Sequence, residues 1–279
     1  MTAAPRSTRP PREAIVRAAI TAGGVAGVAL LLQSRPGFAL LLTAAIFAGG
    51  YEFRAITEPR AGRGARIASG LAATAAGGIA AAAGGATFAT TALPVIAFLA
   101  AVLGVTTLIG SRPLRPGIRL RLAGPIYFGA LPGFLYLLHG ADAAPRGYWV
   151  WLAIALSWGG GIGGFVAGRL WGRRPLAPAA SPRKTAEGAI GALLLGCALG
   201  FAVWRTDPGA LPFPTAAWLL PSAQLLSQAG DLVESRLKRR CGVDDSGRLL
   251  HAQGGMLDSL DGLCLAAPWL YLASGLPWR

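Results

Sequence analysis

The chain has 279 residues, 53% hydrophobic and only 14% charged, with 26 Lys and Arg against 12 Asp and Glu. Soluble domains carry nearer a quarter charged residues, so this composition argues against a water-soluble fold. The basic residues are scattered between apolar runs and form no continuous basic face, which argues against nucleic acid as a partner.

Residues 1–13 are rich in Pro and Arg and read as a disordered basic tail; 14–279 read as a single integral membrane domain. A spanning helix needs about 20 apolar residues, and about 17 suffice where the bilayer adapts. Suitable runs lie near 17–33, 37–51, 67–83, 86–109, 122–139, 148–167, 188–204, 211–227 and 256–276. The fold expected is therefore all-α, a polytopic membrane helix bundle of about nine spans. The first run follows a basic stretch, as in a signal peptide, but no small-residue cleavage site clearly ends it, so an uncleaved first helix is expected. Abundant Gly and Ala suit helices that pack closely in lipid and are compatible with a homodimer. Cys197, Cys241 and Cys264 have neither close pairing nor metal-type spacing and read as packing residues.

Cytoplasmic loops retain Lys and Arg. With a cytoplasmic N-terminus, 22 of the 26 basic residues fall on one side, leaving Arg35, Arg146, Arg205 and Arg279 on the other. This partition supports a cytoplasmic N-terminus and places the two longest polar loops, 168–187 and 228–255, where nucleotides are available.

In the first loop, Ser181 followed by Pro182 has the chemistry of a helix start, and Arg183 and Lys184 add positive charge where free N–H groups attract anions. In the second, Asp231, Glu234 and the run Arg236 to Arg240 suggest a short charged helix along the membrane face. Gly254-Gly255 then leads into the last span, with Asp258 and Asp261 on one face of its first turns. Acidic groups at membrane depth need water, a cation or a metal, and carboxylate oxygens suit Mg²⁺. Asp245 is a loop away and is a candidate third ligand. The plainer reading is that Asp258 and Asp261 stabilise a helix N-terminus and pair with nearby Arg. His139 and His251 read as surface or interface histidines.

Here the chain resembles the phosphatidate cytidylyltransferases, or CDP-diacylglycerol synthases. Their pattern reads S-x-L-K-R-x4-K-D-S-G, then H-G-G-x-L-D-R-x-D. This sequence has Ser235-Arg-Leu-Lys-Arg239, Asp244-Asp-Ser-Gly247 and Gln253-Gly-Gly-Met-Leu-Asp-Ser-Leu-Asp261, with the spacing kept. The first loop is similar to the family's G-R-x-x-G-x-x-x-L-x-P-x-x-S-P-x-K-T-x-E-G across Gly168 to Gly188, and weaker echoes lie at Tyr51-Glu52 and Gly124 to Pro132. The departures are Asp244 for Lys, Gln253 for His, Ser259 for Arg, and Gly161, Gly164 and Phe165 in place of D-x-x-A-Y.

The resemblance implies transfer of CMP from CTP to phosphatidate with release of pyrophosphate, at a bacterial inner membrane. It implies Asp245, Asp258 and Lys238 as catalytic, and Asp245, Asp258 and Asp261 as Mg²⁺ ligands. Ser181, Lys184, Thr185, Ser235, Arg239, Gln253, Gly254 and Gly255 would bind substrate. A CTP-dependent kinase of a lipid alcohol and a non-catalytic lipid-binding paralogue remain open as alternatives, and a transporter is disfavoured because the ionisable residues sit in loops.

Overall fold

Helix α1 (Arg35–Thr57) begins where the sequence provides a cap: the Ser34 hydroxyl accepts from the Gly37 N–H at 3.1 Å, with Pro36 in the first turn. It ends at Glu58, which pairs with Arg54 at 2.8 Å and Arg121 at 3.6 Å. The computed structural model describes residues 27, 29–83, 118–140, 147–247, 249 and 254–274. The expected span at 86–109, most of the one at 17–33, the basic tail and Gln253 lie outside the described residues.

α2 (Arg63–Ala83) packs on α1 through small residues; a β carbon on Gly50 would stand 2.7 Å from that of Ala73. Lipid gives helices no hydrophobic reason to associate, so close backbone approach and its dispersion energy hold them together. α3 (Ile118–Pro125) runs through a π-helical turn (Ile126–Ala130) into α4 (Leu131–Gly140). Tyr127, Phe128, Leu131 and Phe134 from this segment fill the core beside Phe53, Trp149 and Leu156.

α5 (Tyr148–Trp171) and α6 (Ala186–Trp204) form the closest helix pair, with Gly163 against the Gly191 carbonyl and Gly188 against that of Gly164. Between them 168–187 folds back as an antiparallel hairpin, β1 (Pro175–Ala177) with β2 (Ser181–Thr185), pairing Pro175 with Thr185 and Ala177 with Ser181. The fold is thus mostly helical, with a small hairpin that the all-α expectation missed. Ser181 starts a strand and not a helix. The cap of α6 is Thr185, whose hydroxyl accepts from the Gly188 N–H at 3.1 Å.

α7 (Phe213–Cys241) is 29 residues long and ends at Gly242, whose φ of 71° closes the last turn. At 1.5 Å per residue it is about 43 Å long, against roughly 30 Å of hydrocarbon. The charged segment expected to lie along the membrane is therefore its continuation, packed against α8 (Leu257–Ala273). Among the described residues five helices are long and apolar enough to cross a membrane: Arg35–Thr57, Arg63–Ala82, Arg121–Gly140, Tyr148–Trp171 and Ala186–Trp204. α7 and α8 overlap the expected spans 211–227 and 256–276 but are not among the five.

Candidate active site

The site forms where α7, α8 and α5 approach through residues with little or no side chain. A β carbon on Gly230 of α7 would collide with the Asp261 carbonyl of α8, and one on Gly262 would meet the hydroxyls of Ser157 and Ser227. This contact brings Asp231, Glu234 and Asp261 together, with one carboxylate oxygen from each inside a 4.8 Å span. Oxygens on one octahedral Mg²⁺ lie about 3.0 Å apart when adjacent and about 4.2 Å when opposite, so the three carboxylates would draw closer to share that ion.

Two lysines bind these acids. One turn beyond Glu234, the Lys238 ammonium is 2.7 Å from Glu234 and 2.5 Å from Asp258. Lys184, from β2, is 2.5 Å from Asp231 and donates to the Ser235 hydroxyl at 3.3 Å. Arg236 donates to the Ala179 carbonyl at 2.7 Å and ties the hairpin down. The two sequence motifs, separated along the chain by α6 and most of α7, thus meet at one place.

Asp258 faces a different set of partners from Asp261. Its Oδ2 accepts from the Gly255 N–H at 2.7 Å, the Ser246 hydroxyl at 2.7 Å and the Ser246 N–H at 3.3 Å. Behind this loop lies Glu52 of α1, buried, accepting from the Leu257 N–H at 2.9 Å and the Ser246 hydroxyl at 3.4 Å. The carboxylates of Glu52, Asp231, Glu234, Asp258 and Asp261 outnumber the ammonium groups of Lys184 and Lys238. Such an excess of partly buried negative charge is costly unless cations or protons join it.

The remaining sequence-identified residues surround this core. Asp245 is exposed and lies apart from the acidic cluster, which instead takes Asp231 and Glu234. Gly254, with φ of 92°, brings its backbone against the Asp258 carboxylate, where any β carbon would stand 2.6 Å from Oδ2. Arg239 donates to Asp244, and this hydrogen bond and charge hold the Asp244 carboxyl below the usual carboxylate range. Ser259 offers its carbonyl to the Trp158 indole N–H at 3.4 Å. A β carbon on Gly161 would meet no other protein atom within 4 Å.

Sequence reasoning passed over Glu52, Asp231, Glu234 and Ser246 as site members. The signal for Glu234 was its four-residue spacing from Lys238, which puts both on one helix face. For Glu52 the signal was the weak family echo at Tyr51-Glu52 and an acid in an apolar helix, neither of which says what it touches.

Fold and site together define a polytopic helical membrane protein with an acidic, lysine-bridged centre suited to phosphate and metal chemistry. The chain belongs to the cytidylyltransferase family, whose model matches residues 14–276. It is similar to the phosphatidate cytidylyltransferase of Brucella suis, with 42% identity over 153 residues, 54% of this chain and 55% of that protein. The enzymes of the same name from Staphylococcus saprophyticus and Mycobacterium leprae match at 35% over 143 residues and 37% over 131. These matches cover 50% and 47% of this chain, and 52% and 41% of those proteins. The chain spans about half the length of the curated relatives it matches.

Proposed function

We propose that this protein transfers CMP from CTP to phosphatidate, giving CDP-diacylglycerol and pyrophosphate. The observation that carries the reading is the meeting of Lys184 and Lys238 with the acidic cluster at the α7–α8 crossing. The names of the similar enzymes and the family support it.

A phosphate oxygen of phosphatidate attacks the α-phosphorus of CTP in line; the new P–O bond forms as the bond to the β-phosphate oxygen breaks, and pyrophosphate leaves with the electron pair. Such a transfer needs positioning and charge neutralisation more than a covalent nucleophile. Asp231, Glu234 and Asp261 would hold Mg²⁺, with Asp258 close by. Mg²⁺ bound there supplies positive charge to the triphosphate. Lys238 and Lys184 supply positive charge to phosphate oxygens, while Arg239, Ser235, Ser181, Thr185 and the Gly254-Gly255 backbone orient them.

The side that carries Lys184, Lys238 and most of the arginines faces the cytoplasm of a bacterial inner membrane, following the distribution of basic residues. A second reading, a non-catalytic lipid-binding relative, draws on the Arg239–Asp244 pair: the family has a lysine at Asp244, and here the carboxylate occupies Arg239.

Reconstituted protein given Mg²⁺, phosphatidate, a polyprenol and CTP labelled at either the α- or the γ-phosphorus tests this reading. Label from the α position, and not the γ position, is expected in the lipid product. Label from the γ position would identify a lipid kinase, and no lipid label with CTP bound would support the non-catalytic reading.

A further inference from the structure

Glu52 lies on α1, about 200 residues before the groups it touches, and is 8% exposed. It accepts from neutral donors, the Leu257 N–H and the Ser246 hydroxyl, with the Met256 N–H beside them. Leu257 opens α8, so its N–H is one of the helix-start donors that lack a partner within the helix. Glu52 therefore caps α8 from another helix, where a carboxylate also meets the positive end of the helix dipole.

The loop flanks are shaped around this carboxylate. A β carbon on Gly247 or Gly255 would overlap it. Ser246 lies between two acids, with its hydroxyl 2.7 Å from Asp258 and 3.4 Å from Glu52. Asp258 takes its other loop bonds from the N–H groups of Ser246 and Gly255, on these same flanks, while its second oxygen faces Lys238.

We propose that Glu52 is a positioning residue for the reaction: it clamps Ser246–Gly247 and Gly254–Gly255 onto the start of α8 and so aims Asp258 at Lys238. This inference rests on the cytidylyl-transfer reading given above. Displacing a reacting group by about 1 Å can cost about 10²-fold in rate, so a clamp remote from substrate can control turnover.

The test uses the full chain in phospholipid vesicles. Glu52→Ala is expected to lower kcat about 10²-fold, with KM for phosphatidate unchanged. Glu52→Gln keeps an oxygen for the Leu257 N–H and is expected to restore kcat to within about tenfold. Adding Ser246→Ala to Glu52→Ala is expected to cost little more, because both act on one loop. Hydrogen exchange at the Leu257 amide reads the clamp without turnover: it is expected to speed up at least about tenfold in Glu52→Ala and to stay slow in Glu52→Gln. Unchanged exchange in Glu52→Ala overturns the clamp, as does wild-type kcat in that variant or a failure of Glu52→Gln to restore it. Fast exchange in Glu52→Ala in a protein that makes no CDP-diacylglycerol would instead sink the cytidylyl-transfer reading and leave the clamp standing.

Discussion

Replacing Lys238 by Met removes one ammonium and strands two acids. Lys238 is 13% exposed, Glu234 fully buried and Asp258 14% exposed, and both carboxylates sit within 2.7 Å of the lysine nitrogen. Met keeps much of the stem's packing, so the loss is electrostatic. Removing one partner of a buried pair costs about 3–5 kcal/mol, because the remaining charge is left without solvent or counter-ion. Water at the edge of Lys238 and Asp258 favours the lower end, about 3 kcal/mol. At roughly 2–4 °C per kcal/mol for a chain above 150 residues, unfolding in detergent micelles should fall by about 6–12 °C. Adding Glu234→Gln removes the stranded charge and should recover at least about half of that loss, a non-additive result expected only of groups in contact. A Lys238→Met variant that unfolds within about 2 °C of the parent refutes the reasoning, as does a double variant showing the simple sum of both losses.

Four further outcomes follow from the same geometry. Gly230→Val should drive α7 from the Asp261 carbonyl, destabilising the protein by about 1–3 kcal/mol and weakening Mg²⁺-dependent turnover; thermal unfolding and a Mg²⁺ titration check both effects. Asp261→Asn should raise the Mg²⁺ concentration for half-maximal turnover more than it raises KM for CTP, and equal increases in both would remove Asp261 from the metal set. Gly161→Ala should not lower the unfolding temperature, because its methyl group would meet no other residue and alanine favours the helix. The Asp244 carboxyl titrates below its unfolded value of about 3.9, so its contribution to stability is complete above that pH and is lost only as pH falls through the depressed value. Stability curves of the parent and Asp244→Asn should therefore run parallel between pH 6 and 8, and a step within that window removed by the substitution would contradict this.

The helices were legible because lipid demands long apolar runs, and those runs are written in composition. α1, α5 and α6 lie where hydrophobicity alone puts them, although α1 extends past the expected 37–51 to Thr57. The hairpin at 175–185 was hidden because Ser-Pro is as good a helix start as a strand entry, and the choice fell to the Thr185 cap and the Arg236–Ala179 bond. Lys184 and Lys238 were legible as phosphate-type charges, but their acidic partners were divided differently. Asp258 and Asp261 are close in sequence, yet one turns to the Ser246 loop and the other to α7, because the Gly230 contact brings Asp231 and Glu234 to Asp261. Glu52 stands in a weak family echo, but its contacts were not legible there, since they exist only once α1 stands beside α8.

The most direct test of the central claim is pyrophosphate release by the purified protein in Mg²⁺-containing vesicles, with and without phosphatidate. The account predicts release that requires both CTP and phosphatidate and matches CDP-diacylglycerol one for one. Formation of CDP in place of pyrophosphate, or no release from a folded protein that binds both CTP and phosphatidate, would contradict it.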